Sequence, residues 1–247
     1  MTSDFETTMR GFEYYHSLKL LPDTYTVIRV DGKGFTKFTS DYDKPFDLNF
    51  HENMCKVAEA LMEGLNGVYC YTESDEISLL LKPNFDLYDR ELEKIVSISA
   101  AIASANMSLL TGRVAQFDSR VWVGINKERV VDYFRWRQAD ASRCCLNSWC
   151  YWTLRKDGKS ASQATKILDK QTKEFKHELL FSYGINFNDL PLWQRRGTGL
   201  HYQDYVKIGY NPKTQESVEC SRRKIVLNKE LGLKDDYNNF IMDIIKD

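Results

Sequence analysis

The order of the hydrophobic patterns between residues 25 and 125 limits the possible folds of this chain more than any other feature. Four runs rich in β-branched and aromatic residues predict strands, at residues 25–31, 68–71, 77–81 and 117–125. Apolar residues that recur at helical spacing predict two helices, at residues 49–65 and 92–110. The order is therefore strand, helix, strand, strand, helix, strand.

That order predicts an α+β fold of the ferredoxin-like type, in which an antiparallel sheet carries both helices on one face. The first strand then lies centrally, beside the hairpin formed by the second and third strands. The other face of the sheet is left for the rest of the chain to cover.

The rest of the chain has a different character, and no linker or repeat separates it from the first part. Residues 130–154 are dense in aromatic and basic side chains. Helices are also predicted at residues 4–20 and 161–181, a loop at 186–199, and strands at 202–210 and 217–227, joined by the turn-forming residues 211–214. We expect two domains, residues 1–130 and residues 131–247, with the second packed on the first.

Composition excludes several classes of protein. Of the 247 residues, 43% are hydrophobic and 28% charged, which suits a globular core. The net charge of −1 excludes a globally basic protein that coats nucleic acid, although local basic faces remain open. The sequence contains no run of eighteen apolar residues, so it predicts no membrane span. The N-terminus is polar and unlike a secretion signal, and we therefore expect a cytoplasmic protein. Six cysteines without a Cys-x-x-Cys pair and four scattered histidines argue against structural zinc.

Acidic residues stand where two neighbouring strands are predicted to end. Asp31 closes the first strand, and Asp75 and Glu76 lie at the tip of the hairpin. Carboxylates brought together in this way repel each other unless a cation neutralises them, and hard oxygen ligands suit Mg²⁺. Two such ions can stabilise the attacking and leaving oxygens of a phosphoryl displacement.

A glycine-rich segment follows Asp31. Gly32 and Gly34 allow the backbone to approach a phosphate, and Lys33 between them can offset its charge. A Gly-x-Gly alone is weak evidence, and the spacing is not that of a Walker loop. An Asp-Gly after a strand is most often only a turn, and an acidic hairpin tip is usually solvated. The residues alone leave both interpretations open.

Four motifs taken together resemble the tRNA-histidine guanylyltransferase family and its guanylyltransferase-like 3′–5′ polymerase relatives. They are RVDGKGF at 29–35, YTESDEIS at 71–78, FDSRV at 117–121 and YFRWRQAD at 133–140. Two later segments, ELLFS at 178–182 and NFNDLPLWQRRGT at 186–198, are similar to the second half of the family. The resemblance therefore covers nearly the whole chain.

The resemblance implies a polymerase- or cyclase-type palm that binds two Mg²⁺ ions. Asp31, Asp75 and the Gly32 carbonyl would hold the metals, and Glu76 would be a supporting catalytic carboxylate. The nucleotides GTP and ATP would contact eight residues: Asp31, Gly32, Lys33, Gly34, Phe35, Thr36, Ser74 and Asp75. The family adds nucleotides to the 5′ end of tRNA, after activation with ATP or from a 5′-triphosphate, and the resemblance implies a homotetramer.

One segment departs from the family pattern. Eukaryotic guanylyltransferases have a motif rich in His and Asn after the residues that match Gln138–Asp140. Here Ser142 stands at the histidine position, and Cys144 and Cys145 stand at the paired asparagines. This favours template-dependent 5′-end repair, as in bacterial and archaeal relatives, over a dedicated role on tRNA-histidine.

Basic residues interleaved with aromatic ones predict tRNA contacts, because arginines pair with phosphates and aromatic rings stack on bases. The candidates are Arg137, Arg195, Arg196, Arg222 and Arg223. Such pairs are also common on solvated surfaces.

Two other functions fit parts of the pattern. A nucleotidyl cyclase would use the same two carboxylates but would not need the basic second half. A non-catalytic module that binds RNA or nucleotide would not need the set formed by Asp31, Asp75 and Glu76.

Overall fold

One antiparallel sheet forms the centre of the protein in a computed structural model that describes residues 4–211, 213 and 215–246. The strands of these described residues are β1 (Tyr25–Gly32), β2 (Tyr69–Glu73), β3 (Glu76–Leu81), β4 (Phe117–Gly124), β5 (Thr198–Asn211) and β6 (Glu216–Asn228). They lie in the order β4-β1-β3-β2-β5-β6. The first four have the predicted ferredoxin-like order, which is confirmed.

The helices surround this sheet. They are α1 (Asp4–Gly11), α2 (Phe35–Phe38), α3 (Leu48–Gly64), α4 (Leu92–Thr111), α5 (Lys127–Lys156), α6 (Ala161–Leu168), α7 (Lys173–Ser182), α8 (Leu192–Arg196) and α9 (Asp235–Ile245). Short 3₁₀ turns occur at Tyr14–Ser17, Leu87–Arg90 and Phe187–Asp189.

Each face of the sheet carries its own helices. Alternation along β1 sends Ile28 and Val30 into the core with α3 and α4, and Val27 into a second core with α5 and α9. Because both faces are covered, every residue of β2 and β3 is buried. The helices predicted at 49–65 and 92–110 are thus on one face, and α5 covers the face that was left open.

The helix α4 packs closely on the sheet because small residues lie in the middle of its buried side. Ser99 and Ala103 are buried, and the Ser99 hydroxyl hydrogen-bonds to that of Ser119 on β4 at 2.7 Å. By length and composition alone α4 could cross a membrane, with a hydropathy of 1.3. In this fold its Ile95 and Met107 lie in the core against the sheet.

The long helix α5 joins the two halves of the chain. Asn126 caps its start, with a side chain that accepts a hydrogen bond from the Arg129 amide. Its first part packs Val130 and Phe134 on the sheet, while its later part forms a third core with α6 and α7, around Cys145, Cys150 and Leu154.

Several predictions for the outer segments need correction. The helix predicted at 4–20 ends at Gly11. The helix predicted at 161–181 is two helices, because Thr172 caps the start of α7 and accepts from the Phe175 amide. The predicted loop at 186–199 contains a 3₁₀ turn, α8 and the start of β5.

The strands predicted at 202–210 and 217–227 are longer than expected. β5 starts early enough for Thr198–His201 to pair with β2, so the second half of the chain extends the sheet of the first. The turn predicted at 211–214 lies partly outside the described residues.

Candidate active site

The turn between β2 and β3 consists of Ser74 and Asp75, flanked by the register partners Glu73 and Glu76. Ser74 has a φ of 48°, the left-handed conformation that a two-residue hairpin turn requires. Its hydroxyl donates to the Asp75 carboxylate at 3.1 Å. The turn is fixed on its inner side, where the Thr72 hydroxyl donates to the Glu76 carbonyl at 3.0 Å.

The end of β1 lies directly against this turn. Asp31 pairs in register with Glu76 on one side and with Asp118 of β4 on the other. The Gly32 amide donates to the Asp75 carbonyl at 3.1 Å. The structure therefore brings Asp31, Asp75 and Glu76 to one edge of the sheet, although 44 positions of sequence separate Asp31 from Asp75 (75 − 31).

Register places a row of carboxylates across this edge. Asp118, Asp31, Glu76 and Glu73 are successive partners on β4, β1, β3 and β2, and side chains directly opposite each other share a face. That face is the one covered by α5. Asp118 is exposed at the end of the row and pairs with Arg120 at 2.8 Å.

Asp75 lies in an environment that disfavours its charge. Burial raises the pKa of Asp75, and the charge of Asp31 raises it further. In the described part of the chain, neither Asp31 nor Asp75 forms an ion pair with a basic side chain. Two acidic groups that repel each other and lack a protein cation are a suitable donor set for a metal ion.

The protein supplies few ligands at this point. Within residues 4–211, 213 and 215–246, no three His, Cys, Asp or Glu side chains converge as a metal-binding group. Two carboxylates and the Gly32 carbonyl fit Mg²⁺, which usually retains waters and takes its other ligands from substrate phosphates.

Glu76 differs from the other two acidic residues because a basic group holds it. Arg137 of α5 donates from Nε to Glu76 Oε1 at 2.6 Å and from Nη2 to Oε2 at 2.8 Å. Arg29 adds a weaker ion pair at 3.7 Å. Burial raises the pKa of Glu76, and these arginines oppose that rise.

Glu73 belongs to the same network, and sequence reasoning missed it. Arg137 Nη2 donates to Glu73 Oε1 at 2.9 Å. Burial and the charge of Glu76 raise the pKa of Glu73 to about 8, although Arg137 acts against the shift. The signal in the sequence was the pair of glutamates placed symmetrically about Ser74-Asp75.

The assignment of Arg137 to an RNA-facing cluster is wrong, since only 6% of the residue is exposed and carboxylates surround it. The other candidates lie nearer the surface. Arg195 and Arg196 are half-buried and donate to the carbonyls of Leu190 and Leu231. Arg222 and Arg223 are exposed on β6, with Arg223 stacked over Tyr202 at 4.2 Å.

The glycine-rich segment is built around a buried ring. Phe35 lies in the core, 4.8 Å from the ring of Phe117, and a Cβ on Gly32 would be only 2.4 Å from the Phe35 side chain. Gly34 has a φ of 73° and leads into α2. The Phe35 side chain is therefore a core group and not a nucleotide contact, whereas Lys33, Thr36 and Ser74 are exposed.

Comparisons with known proteins bear on the identity of this arrangement. Residues 6–131 match the family model described as tRNAHis guanylyltransferase, and residues 128–246 match that of the Thg1 C terminal domain. The chain belongs to the tRNA(His) guanylyltransferase family. It is therefore a nucleotidyltransferase.

Relatives in this family match over most of their length. The tRNA(His) guanylyltransferase of Schizosaccharomyces pombe is 37% identical over 236 residues, which cover 88% of this chain and 89% of the relative. That of Debaryomyces hansenii is 34% identical and covers 86% of this chain and 89% of the relative.

Solved structures agree with the fold. A bacterial tRNA(His) guanylyltransferase-like protein in complex with ATP superposes with a TM-score of 0.75 at 24% identity, over 98% of this chain and all of that one. The enzyme from Saccharomyces cerevisiae gives a TM-score of 0.69 at 28% identity, over 76% of this chain and 91% of that one. The palm-like fold expected from the motifs is confirmed.

Proposed function

We propose that this protein adds nucleotides to the 5′ end of tRNA at a two-metal site held by Asp31 and Asp75. The observation that carries the proposal is the hydrogen bond from the Gly32 amide at the end of β1 to the Asp75 carbonyl in the β2–β3 turn. It brings the two carboxylates to one sheet edge, where no basic side chain of the described residues forms an ion pair with either of them. Family membership supports the same chemistry and disfavours a cyclase or a non-catalytic module.

Asp31, Asp75 and the Gly32 carbonyl would hold two Mg²⁺ ions. When bound, such ions stabilise the charge on the attacking and leaving oxygens of an in-line phosphoryl displacement. The carboxylates would orient the ions, and because two Mg²⁺ ions carry more positive charge than two carboxylates neutralise, the positive charge that remains would suit a polyphosphate.

The segment from Gly32 to Thr36 would receive the triphosphate of ATP or GTP. Lys33 and Thr36 follow Asp31 closely in the sequence and are exposed, and Gly34 has no atom within 4 Å of where a Cβ would stand. Ser74 is exposed on the facing turn. Related bacterial structures are complexes with ATP and with GTP, which supports both nucleotides as substrates here.

The reaction would proceed in two transfers. The 5′-monophosphate of the tRNA attacks the α-phosphate of ATP and releases pyrophosphate, which leaves an adenylylated 5′ end. The 3′-hydroxyl of the incoming nucleotide then attacks the 5′-phosphate of the tRNA and releases AMP. A tRNA with a 5′-triphosphate enters directly at the second step and releases pyrophosphate.

We further propose that the added nucleotide follows the opposing base of the tRNA. The support is the altered segment on α5, where Ser142, Cys144 and Cys145 replace the His and Asn positions of the eukaryotic motif. Cys145 is fully buried in the core that α5 shares with α6 and α7, so it fills space there and does not contact a substrate.

The tRNA would lie along the basic groups of the second half of the chain. Arg222 and Arg223 on β6 are exposed, and Arg195 and Arg196 are half-buried on α8. We also propose a homotetramer in the cytoplasm, in which one subunit grips the tRNA while another carries out the transfer.

The test uses tRNAs that lack their first nucleotide and differ only in the base opposite the gap. Each is incubated with the protein, Mg²⁺, ATP and one labelled triphosphate at a time. Addition that follows the opposing base supports both proposals. Guanosine added opposite every base would contradict template dependence but still support nucleotide addition to tRNA. A cyclic nucleotide formed without RNA, together with no extended tRNA, would contradict the proposed function.

A further inference from the structure

Arg137 connects the long helix α5 to both strands that carry the Ser74-Asp75 turn. Its guanidinium binds Glu73 at the end of β2 and Glu76 at the start of β3, at distances of 2.6 to 2.9 Å. A planar guanidinium presents its donors in a rigid fork, so this pairing fixes direction as well as distance.

The same guanidinium is anchored on its own helix. Arg137 Nη2 donates to Asp140 one turn along α5 at 3.1 Å, and Asp140 in turn accepts from Arg143. The Trp136 ring lies 4.6 Å from the Arg137 guanidinium. Burial alone would lower the pKa of Arg137, but Glu76 and Glu73 raise it above its usual value, so the fork stays charged.

Glu76 uses both carboxylate oxygens in this contact. Each oxygen accepts from Arg137, and Arg29 approaches the Oε2 atom. Its charge is therefore neutralised by protein cations, unlike that of Asp75 one residue earlier. Burial raises the pKa of both Asp75 and Glu76, but of these two neighbours in the described part of the chain only Glu76 is paired with arginines.

The position of Asp75 depends on the turn in which it lies. The flanking residues Glu73 and Glu76 are both tied to α5, and the Asp75 carbonyl is tied to Gly32. A site that binds a metal loses function when its ligands shift by about an ångström, so the groups that hold the ligand matter as much as the ligand itself.

We propose that Arg137 is a positioning residue for the metal site: it fixes the turn between Glu73 and Glu76, so that Asp75 stays beside Asp31. Glu76 then supports the site through Arg137 and not as a metal ligand. The inference rests on the proposed function. It also assigns a role in the catalytic centre to α5, nearly all of which belongs to the C-terminal part of the family.

The test measures metal binding directly, by titration with Mn²⁺ followed by electron paramagnetic resonance. Asp31→Asn first establishes that the signal belongs to this site. Arg137→Met should weaken Mn²⁺ binding about tenfold or more, as substitutions of groups that orient metal ligands usually do. Arg137→Lys should fall between Arg137→Met and the parent, because it keeps the charge but loses the fork.

Two further variants are matched controls. Arg143→Met removes an arginine from the same helix that also binds Asp140, but whose side chain is 65% exposed, and it should leave Mn²⁺ affinity within about twofold. Glu76→Gln keeps an oxygen acceptor for Arg137 and should lose much less affinity than Asp31→Asn. Folded Arg137→Met with the parent affinity, or Glu76→Gln as weak as Asp31→Asn, would overturn the proposal.

If Arg137→Met does not fold, the triple variant Glu73→Gln/Glu76→Gln/Arg137→Met replaces it in the experiment. This variant removes the buried charges of all three side chains together, so it leaves neither glutamate charged without a partner. The folded triple variant should still bind Mn²⁺ weakly, and parent affinity in it would contradict the role of the fork. Nucleotide addition is measured on the same preparations. If the parent protein binds Mn²⁺ and Arg137→Met weakens that binding, but the parent extends no tRNA, the proposed function is contradicted while this inference holds.

Discussion

Two hairpins of the same sheet have opposite environments. The β2–β3 hairpin is short, turns through two residues, and has strands in which every residue is buried. The β5–β6 hairpin has strands of 14 and 13 residues, and most of its side chains are exposed. Helices cover both faces of the first hairpin, whereas in the second hairpin only the first few residues of β5 are buried and the residues beyond them are mostly exposed.

The difference explains where charge can be organised. Acidic groups on the buried hairpin are desolvated, so each one must find a cation or shift its pKa. Arg137 pairs with Glu73 and Glu76, whereas Asp75 lies beside Asp31, where we propose that the metal ions bind. Basic groups on the exposed hairpin remain solvated and are available to a polyanion such as tRNA.

The largest difference in stability should come from the same substitution in each hairpin. Ile77→Ala on β3 removes a side chain that is 0% exposed and should lower the free energy of unfolding by about 2–5 kcal/mol. Ile208→Ala on β5, where the residue is 71% exposed, should change it by no more than about 0.5 kcal/mol. Urea denaturation measures both, and equal losses would contradict the division into a buried and an exposed hairpin.

A smaller effect should come from the junction of the two hairpins, where His51 lies within 3.3 Å of the Thr198 hydroxyl and stacks on Trp193. Burial lowers the pKa of His51 to about 4, below its unfolded value of about 6.5. As pH falls, His51 is therefore protonated in the unfolded state before it is protonated in the folded state. The contribution of neutral His51 to the free energy of unfolding is complete above pH 6.5 and falls as pH drops toward 4. The loss should reach up to about 3 kcal/mol.

Unfolding measured between pH 7 and 4 tests this pH dependence. His51→Gln should have a flatter profile over that range than the parent. His177→Gln changes an exposed histidine of α7 and should keep the parent profile. A parent and a His51→Gln variant with identical slopes would contradict the assignment.

The smallest effect on stability should accompany a clear effect on binding. Arg222→Ala/Arg223→Ala on β6 should leave the unfolding free energy nearly unchanged but weaken tRNA binding several-fold at about 0.1 M salt. The slope of log affinity against log salt concentration should fall by about one for each phosphate that the variant no longer binds. Lys166→Ala/Lys173→Ala removes the same charge from α6 and α7, and an equal loss of affinity there would show a general charge effect instead of a tRNA-facing hairpin.

The buried part of the molecule was the more predictable one. Alternating, helical and short apolar patterns around 25–125 predicted the strand order correctly, because burial on one face imposes a regular period on the sequence and burial on both faces of a strand gives a short continuous apolar run. The convergence of Asp31 with Asp75 followed from that order alone.

The remaining features depend on contacts that no local pattern contains. Glu73 and Arg137 are 64 positions apart, and α5 packs its two parts against different cores, so it has no single apolar stripe. The break between α6 and α7 depends on a cap at Thr172 that a hydrophobic period does not show. The start of β5 was missed because Thr198 and Gly199 carry no strand pattern of their own, and Thr198–His201 join the sheet by pairing with β2.

The most direct test of the central claim compares single-turnover addition to a tRNA lacking its first nucleotide, at saturating Mg²⁺ and nucleotide, for the parent and for Asp31→Asn and Asp75→Asn. Because bound metal contributes several kcal/mol to the transition state, each variant should lose about a thousandfold or more in rate while remaining folded and binding tRNA. Either variant adding the nucleotide within about tenfold of the parent rate would contradict a two-metal site at these carboxylates.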